Sequence, residues 1–305
     1  MGVDNNSKEK FTIEKDGTIK RPSLKIARNV LLAVFALITL LICGGLVYLI
    51  DKSIDRSNIV EIGKNLNIIL PSGESFVMVY VKGGQFNMGI EDNARERDNP
   101  EHIVKLSDYY IGEAEVTQAL WEELMDIELE FHRWEKDETN YPVYGVGYYQ
   151  AEEFCAQLNS KFKDQLPKGY KFRLPTEAQW EYAARGGENG MKTKYAGSNY
   201  IVDVGWFRGN SSGKLHSVMK KEPNELGIYD MSGNASELCV DFYDSNYYKE
   251  SPIINPKNLT SQRYGHVVRG GNINSEESDC RIFERDYVSY KNNRDNGFRV
   301  ALVNE

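Results

Sequence analysis

The sequence predicts a mixed α+β domain attached to one transmembrane helix. Three observations predict this arrangement: an uncharged apolar run over residues 29–50, short strand-like runs with glycine turns from Ser75 onward, and amphipathic helical patterns between Glu115 and Phe162. After Tyr195 the helical signals fade, and glycine, asparagine and aromatic residues dominate to the C-terminus. Few long periodic segments remain in that part of the chain, so we expect regular structure there to be sparse.

The N-terminal segment has the pattern of a membrane anchor. Residues 1–28 are polar and hold seven Lys or Arg, whereas residues 29–50 carry no charge. At about 1.5 Å per residue, a helix over this apolar run is long enough to cross the hydrocarbon core. Basic residues become sparse after Asp51, so the positive-inside rule predicts a cytoplasmic N-terminus and an extracytoplasmic C-terminal domain, periplasmic or at the cell surface.

Two alternatives to an uncleaved anchor are a cleaved signal peptide and a lipoprotein anchor at Cys43. The basic region is long for a signal peptide, and no small-x-small cleavage site follows the run cleanly. Ile42 stands where a lipidation motif needs a small residue. We therefore favour a single-pass membrane protein, with its segments in this order: a cytoplasmic basic tail (1–28), a transmembrane helix (29–50), a linker (51–74) and an ectodomain (75–305).

The ectodomain is predicted to begin with strands. Residues 75–89 form a strand-like run that is interrupted by a turn at Gly83 and Gly84. Further strands are expected at 102–106 and 109–111, where apolar residues cluster in short runs. This part of the chain therefore accounts for the β component of the predicted domain.

Two amphipathic helices are predicted next. Residues 115–125 place four large apolar side chains on one face, and Thr117 is expected to be the N-cap. Residues 149–162 repeat apolar side chains at helical spacing, with Cys155 among them. We expect both apolar faces to pack in the core, so that Cys155 points inward.

A third helix carries both a start signal and a stop signal. At its start Thr176 and Gln179 have the spacing of a capping box, in which each side chain bonds the other residue's backbone N–H. Gly186 is expected to end the helix in a left-handed conformation. Trp180 and Tyr182 could be binding aromatics, but on a short capped helix core packing is the preferred interpretation.

The segment 224–243, NELGIYDMSGNASELCVDFY, is dense in side-chain oxygens around Gly233. Oxygen-lined turns hold hard cations, and calcium accepts carboxylate, amide and backbone carbonyl ligands. The alternative is a polar turn whose Asn and Asp side chains cap their own backbone. Both interpretations are open from spacing alone. The oxygen-bearing side chains are those of Asp230, Ser232, Asn234, Ser236, Glu237 and Asp241.

Composition limits the possible chemistry. The net charge of −8 argues against a nucleic-acid partner, which would usually require a basic face. Of the four cysteines, Cys43 lies in the apolar run, so three remain for the domain. In an oxidising compartment an odd number implies at least one free thiol or a bond to another chain. The four histidines are scattered without the spacing of a zinc or facial-triad site.

Five further motifs accompany the segment 224–243. They are FNMG (86–89), EVTQALW (115–121), RLPTEAQWEYAARGG (173–187), VVRGG (267–271) and NGFRVAL (296–302). Together, in this order and over about residues 75–303, the six motifs resemble the formylglycine-generating enzyme (sulfatase-modifying factor) family. The resemblance implies a single α+β domain of the C-type-lectin-like kind, rich in loops and low in regular secondary structure. Activity is a separate question, because a fold does not imply a function.

The resemblance also implies where catalytic residues would lie. Enzymes of the family use two cysteines, four and nine residues after the second glycine of the RGG motif, to bind Cu(I). That glycine is Gly271 here, so the two positions hold Ser275 and Cys280. The family's serine after the motif is replaced by Asn272. A serine hydroxyl cannot replace a thiolate on Cu(I), so we do not expect copper or formylglycine generation.

For calcium the resemblance implies a complete set of ligands. The family's second calcium site uses a side chain, two backbone carbonyls and a glutamate, which fall on Asp230, Gly233, Ala235 and Glu237. Asp230 replaces an Asn of some members and keeps an oxygen ligand. We therefore expect calcium at this loop. The family's first calcium site, near residues 203–210, is left unassigned.

The preferred functional hypothesis is a membrane-tethered binding or assembly domain. Residues 271–297 are rich in Asn, Ser, Tyr, Asp and Arg, which make adaptable contacts on binding surfaces. The partner would be an envelope protein or a glycan, and some family relatives carry a diversified ligand-binding region at this position. The alternatives are a solvated loop without a partner, a copper-dependent formylglycine generator, and a nonheme-iron oxidase related to the family.

Overall fold

The computed structural model of the protein describes residues 62–91, 99–125, 140–260, 264–288 and 296–304. The predicted cytoplasmic tail and transmembrane helix lie outside these residues. Within the described ranges, no helix combines the length and the apolar character needed to cross a bilayer. The described part mixes strands and helices, which confirms the α+β class predicted from the sequence.

Short strands and helices alternate along the chain. The helices are α1 (Gln118–Leu124), α2 (Tyr148–Phe162), α3 (Glu177–Ala184), α4 (Ile201–Val204) and α5 (Tyr247–Glu250). The strands are β1 (Leu66–Ile69), β2 (Ser75–Val81), β3 (Gln85–Met88), β4 (His102–Lys105), β5 (Tyr109–Gly112), β6 (Tyr170–Arg173), β7 (Ser236–Phe242), β8 (His266–Arg269), β9 (Asp286–Val288), β10 (Asn296–Gly297) and β11 (Ala301–Asn304).

The larger sheet has five strands in the order β1-β2-β5-β11-β6, and every neighbouring pair is antiparallel. The last strand of the chain therefore lies inside the sheet, where Ala301 pairs with Ile111 on one side and Arg173 on the other. Just before β11, the amide of Gly112 donates to the carbonyl of Val300 at 2.8 Å. This connection holds the NGFR segment against the end of β5.

The domain begins earlier in the chain than the sequence suggests. Strand β1 lies within residues 51–74, which were expected to be a linker, and it pairs with β2 in the register Leu66 opposite Met78. Ile68 and Leu70 are buried in the core. The alternation of these apolar residues with Asn67 and Ile69 is that of a half-buried strand, but it is too short to be distinguished from a mixed linker by pattern alone.

The outer edge of β1 is bonded to a side chain from another part of the chain. The amide of Ile69 donates to Oε1 of Gln165 at 2.9 Å, and Nε2 of Gln165 donates back to the carbonyl of Ile69 at 2.9 Å. The side-chain amide of glutamine has an oxygen that accepts and an NH₂ group that donates in one plane, so it can pair with a peptide group. Gln165 therefore satisfies the backbone of this edge residue.

The three predicted helices are present with their caps. Thr117 is the N-cap of α1 and accepts from the amide of Leu120, as expected. Cys155 on α2 is buried, as predicted. Thr176 and Gln179 form the capping box of α3, and Gly186 adopts φ = 83° after its end. These predictions are confirmed. They could be made from the sequence because each cap depends on contacts between near neighbours in the chain.

The second sheet carries the candidate site. Its order is β10-β7-β8-β9, with β10 parallel to β7 and the other pairs antiparallel. All eight residues of α3 are buried where the helix packs on β7 and β8. Trp180 and Tyr182 are 0% and 1% exposed, which confirms that they are core residues. The helix therefore packs against one face of this sheet.

Candidate functional site

A polar cavity of about 160 Å³ lies at the end of β8, where the RGG motif turns the chain. Gly270 and Gly271 follow β8 with φ values of 88° and 68°, in the left-handed region that favours glycine. The cavity is small and mostly polar. Its wall is formed by Ser236, Val268, Arg269, Gly270, Gly271, Asn272, Ser275, Asp279, Glu284, Arg285 and Asp286.

Two of the three residues expected at the catalytic positions lie in this wall and bond each other. The hydroxyl oxygen of Ser275 accepts from the amide of Asn272 at 3.0 Å. The side chain of Asn272 donates to Oγ of Ser236 at 3.0 Å and accepts from the amide of Asn274 at 2.9 Å. Ser275 and Asn272 therefore hold the turn in shape as well as lining the cavity.

The third residue, Cys280, lies behind the wall. It is 0% exposed and packs with Tyr195, Ile201 and Val204. A Cβ atom added at Gly271 would come within 2.7 Å of the Cys280 sulfur, so only a glycine leaves room for the thiol at this position. Burial raises the pKa of the Cys280 thiol to about 12, which keeps it protonated at neutral pH.

These residues do not fit a copper centre held by two thiolates. Cu(I) selects soft, deprotonated sulfur ligands. Cys280 is the single thiol of this pair of positions, and the partner position offers the hydroxyl of Ser275. Cys155 and Cys239 are also buried thiols without a disulfide bond, and neither of them lines the cavity. They therefore do not supply the missing thiolate.

The turn that follows the RGG motif is braced by neighbouring loops. The amide of Ile273 donates to the carbonyl of Asn234 at 3.1 Å, and the amide of Arg208 donates to the carbonyl of Ser275 at 3.1 Å. Oγ of Ser211 donates to the carbonyl of Ile273 at 2.8 Å. Because these bonds come from separate parts of the chain, the cavity wall is fixed in place.

In the wall of the cavity, two arginines are held by carboxylates from the buried helix α3. Arg269 donates to Glu177 at 2.8 Å and to Glu181 at 2.7 Å. Arg285 makes two further bonds to Glu177, at 2.6 Å and 2.9 Å. Burial alone would raise the pKa of Glu177, but Arg285 and Arg269 together hold that pKa below its usual value.

Sequence reasoning did not identify this ion-pair network. The available signal was Glu177 and Glu181, two carboxylates four residues apart on a helix whose other positions, apart from Gln179, are apolar or aromatic. Carboxylates on a buried helix need cationic partners, since an unpaired buried charge is costly. The partners come from the RGG motif and from a segment more than 100 residues further along the chain.

The predicted calcium loop is a tight turn beside this cavity. Asp230, Gly233 and Asn234 have φ values of 57°, 92° and 59°. A Cβ at Gly233 would meet the carbonyl oxygen of Trp206 at 2.1 Å, so only glycine fits there. The amide of Gly233 donates to the carbonyl of Gly270 at 2.8 Å. The loop and the RGG turn therefore form one connected structure.

Glu237, expected to be a calcium ligand, is the partner of an arginine. Arg299 of the GFR motif donates from Nε and Nη2 to the two carboxylate oxygens of Glu237, both at 2.6 Å. Trp180 donates its indole N–H to the same carboxylate at 2.7 Å. Arg299 also donates to the carbonyls of Gly112 and Tyr229. The carboxylate is thus fully hydrogen-bonded within the protein.

Asp230, also expected to be a ligand, retains one oxygen without a partner. Its Oδ2 accepts from the amide of Met219 at 2.7 Å, whereas Oδ1 is buried and has no hydrogen bond among the described residues. Burial raises the pKa of Asp230 to about 6. A buried, unpartnered carboxylate oxygen is costly and suits a bound cation.

A second buried carboxylate, Glu115, contacts this loop and was missed by sequence reasoning. Its oxygens accept from the amide of Ala235 at 2.9 Å and from Nδ2 of Asn234 at 2.7 Å. In the described part of the chain, no three His, Cys, Asp or Glu side chains converge closely enough to hold a metal by themselves. A cation here would therefore also need the backbone carbonyls of Gly233 and Ala235.

Comparison with known proteins places this geometry in a family. Residues 71–303 match the model of the sulfatase-modifying factor enzyme 1-like domain. A protein named chaperone protein LppX from Paenibacillus barcinonensis is 30% identical over 210 residues, which cover 54% of this chain and 71% of the relative. A formylglycine-generating enzyme from Streptomyces coelicolor is 26% identical and covers 73% of this chain and 88% of the enzyme.

Solved structures agree with the sequence comparison. Treponema denticola variable protein 1 superposes with a TM-score of 0.68 at 28% identity, covering 79% of this chain and 99% of that protein. The match to the family model extends over most of the described residues, and it includes the RGG turn and the Asp230 loop. The resemblance seen in the motifs is therefore confirmed, and the chain belongs to the sulfatase-modifying factor enzyme 1-like domain family.

Proposed function

We propose that this protein is a membrane-anchored, extracytoplasmic binding or assembly domain and does not generate formylglycine. The observation that carries the proposal is the pair of residues at the family's cysteine positions. Ser275 is a hydroxyl that bonds its own turn, and Cys280 is a single buried thiol packed against Gly271. Neither group is arranged to bind Cu(I) or to react with a substrate cysteine.

The cavity beside the RGG turn is the proposed binding site. Its walls offer hydroxyl, amide and carboxylate groups, and bonds from several loops brace it. A rigid polar cavity supports ligand recognition, because little conformational entropy is lost when a ligand binds. The partner we propose is an envelope protein or a glycan. Both would reach the domain if residues 29–50 anchor it outside the cytoplasm.

The relatives are compatible with a non-catalytic role for this domain. Similar proteins include one named a chaperone and one named a variable protein, alongside enzymes that generate formylglycine. The same fold therefore occurs under names of different functional classes. The residues at the site favour binding for this member of the family.

A peptide-conversion assay tests the absence of catalysis. The purified full chain in detergent is supplied with Cu(I), a reductant and a peptide carrying the CxPxR motif, and the peptide is examined by mass spectrometry. We expect no conversion of the peptide cysteine. A formylglycine enzyme of the family is the positive control. Copper- and oxygen-dependent conversion by this protein would replace the binding proposal with the enzyme alternative.

Site-specific photo-crosslinking tests the binding role. A photoreactive residue at Asp286, which lines the cavity and is exposed, should give a discrete adduct in cell envelopes. The same group at Glu153, exposed on α2, is the control and should not. Asn272→Trp, which fills the cavity, should abolish the adduct. Equal crosslinking from both positions, or an adduct that survives Asn272→Trp, would contradict the cavity as the binding site.

Calcium at the Asp230 loop is the structural part of the proposal. The buried, unpartnered Oδ1 of Asp230 supports it, because that atom needs a positively charged or donating neighbour. When bound, calcium would cross-link the loop that holds the RGG turn. The wild-type chain should therefore melt at a lower temperature in chelator than in calcium. An unchanged melting temperature would count against the ion.

A further inference from the structure

A second, smaller cavity lies at the start of helix α3, where Glu177 forms part of its wall. Glu177 also bonds the two arginines in the wall of the polar cavity, so this side chain connects the two cavities. Strand β4 contributes His102 to the smaller cavity, strand β7 contributes Asp241, and helix α5 contributes Tyr247. The smaller cavity therefore lies where separate elements of the domain meet.

Two polar atoms in this wall have no hydrogen-bond partner among the described residues. They are Nε2 of His102 and the hydroxyl oxygen of Tyr247, and both atoms are buried. The side chain of Ser251 and the backbone of Lys257 lie near the Tyr247 hydroxyl but do not complete a hydrogen bond to it. A buried polar atom without a partner is costly, and ordered water commonly satisfies such atoms.

The other ring nitrogen of His102 determines what kind of partner Nε2 needs. Nδ1 lies 3.2 Å from the carbonyl oxygen of Pro100. Because a carbonyl oxygen can only accept, Nδ1 carries the proton in the neutral ring and Nε2 is left as an acceptor. The hydroxyl of Tyr247 can donate as well as accept. A molecule that donates to Nε2 and accepts from the hydroxyl would satisfy both atoms.

Water is the molecule that meets this requirement. A single water needs roughly 10–15 Å³ of space and about two to four polar partners. The cavity provides about 10 Å³, which leaves no room for a larger ligand. Asp241 offers a third partner, because its Oδ1 and Oδ2 each accept one backbone amide, at 2.7 Å from Asn258 and 2.8 Å from Glu177. A carboxylate oxygen can accept a further hydrogen.

We propose that this cavity is a binding site for one buried water molecule. The water accepts from the hydroxyl of Tyr247 and donates to Nε2 of His102, and its second hydrogen is directed to the carboxylate of Asp241. It thereby connects α5, β4 and β7 beside the helix that supplies Glu177 to the polar cavity. The inference is independent of the proposed binding role of the domain.

A double-mutant cycle tests whether the two side chains act through a shared molecule. Tyr247→Phe removes only the hydroxyl. His102→Phe removes the ring nitrogens but keeps an aromatic ring beside Tyr248, whose ring centroid lies 4.5 Å from that of the imidazole. The midpoint of denaturant unfolding is measured for the full chain, both single variants and the double variant. Tyr149→Phe, which removes the hydroxyl of an exposed tyrosine on α2, is the matched control.

Both single variants should unfold at a lower denaturant concentration than the wild type, because each removes one partner of the water. The double variant should shift by less than the sum of the two single shifts, since the second substitution acts on a water that is already weakly held. The lost bond from Nδ1 to Pro100 cancels in this comparison, because His102→Phe removes it in both backgrounds. Tyr149→Phe should unfold as the wild type does.

Oxygen-17 relaxation dispersion distinguishes a bridging water from a direct contact between the two side chains, because it counts water molecules that exchange slowly with the solvent. The double variant should hold one long-lived water fewer than the wild type, and Tyr149→Phe should hold the same number. An equal count in the double variant, or additive shifts in the cycle, would overturn the inference. If the double variant does not fold, the midpoint of Tyr247→Phe decides. Without the water this substitution removes an unpartnered hydroxyl, so an unchanged or raised midpoint would overturn the site.

Discussion

The guanidinium of Arg299 and the carboxylate of Glu237 form a two-point ion pair in which both N–O distances are 2.6 Å. Arg299 comes from the GFR motif before β11, and Glu237 lies at the start of β7, so the pair joins the two sheets. Neither side chain is more than 1% exposed. The fold therefore depends on a buried charge pair at the point where the sheets meet.

Breaking this pair should destabilise the domain strongly. Glu237→Gln leaves the buried charge of Arg299 uncompensated, for which the expected loss is about 3–5 kcal/mol in the free energy of unfolding. Denaturant unfolding measures it. The exposed pair Lys82–Glu188 provides the control, and Glu188→Gln should leave the unfolding midpoint unchanged. Similar midpoints for Glu237→Gln and the wild type would contradict a structural role for the pair.

The thiols of the domain should be unreactive in the native state. Cys155, Cys239 and Cys280 are all buried and unbonded, and burial raises the pKa of each. In a Cys43→Ala chain, we expect no rapid reaction with a thiol reagent under native conditions and reaction of all three thiols after unfolding. Fast native labelling of Cys280, located by mass spectrometry, would show that the thiol reaches the cavity.

Restoring the family residues should restore some affinity for copper. Ser275→Cys with Asn272→Ser returns the second thiol and the serine to the turn. If the backbone keeps the family geometry, Cu(I) affinity should rise in a competition assay with a chromogenic chelator. Ser278→Cys adds a thiol at a nearby position and is the control for nonspecific binding. Equal gains in both variants would argue that the turn is not a copper scaffold.

Acid should weaken the domain through His266. This histidine stacks on Tyr148 with ring centroids 3.4 Å apart, and burial lowers the pKa of His266 to about 4. The unfolded chain, with a histidine pKa of about 6.5, binds more protons between these values, so stability falls as pH decreases through this window. His266→Phe should show a smaller fall in melting temperature from pH 7 to pH 5. An identical fall would exclude His266 as its source.

Topology can be measured with reporter fusions. The basic tail before residues 29–50 predicts that alkaline phosphatase is active when fused after Glu305 and inactive when fused after Arg28. The enzyme folds only outside the cytoplasm, where its disulfides form. Activity of the Arg28 fusion together with an inactive Glu305 fusion would reverse the proposed orientation.

Local features of this fold could be predicted from the sequence, because their determinants lie close together in the chain. The capping box joins Thr176 and Gln179, which are only three positions apart, and the left-handed stop at Gly186 depends on a single residue. The family motifs identified the RGG turn and the Asp230 loop, and with them the region of the candidate site.

The long-range contacts of the buried carboxylates could not be predicted in the same way. Glu115 meets Ala235 across 120 residues, and Glu177 meets Arg285 across 108 residues. No periodicity links positions that far apart, since their contact is a product of sheet topology. Strand β1 was not predicted for another reason. Its four residues of alternating burial lie next to a polar connector, and so short an alternation does not distinguish a strand from a linker.

The bond between Gln165 and Ile69 has a consequence beyond local stability. Ile69 is 55% exposed at the outer margin of the five-stranded sheet, which is where a strand from another molecule could be added. The amide of Gln165 occupies the backbone donor and acceptor that such a strand would need. Two molecules that touch at this margin are thus prevented from pairing their backbones at Ile69. A single glutamine side chain helps to keep the domain separate from its neighbours.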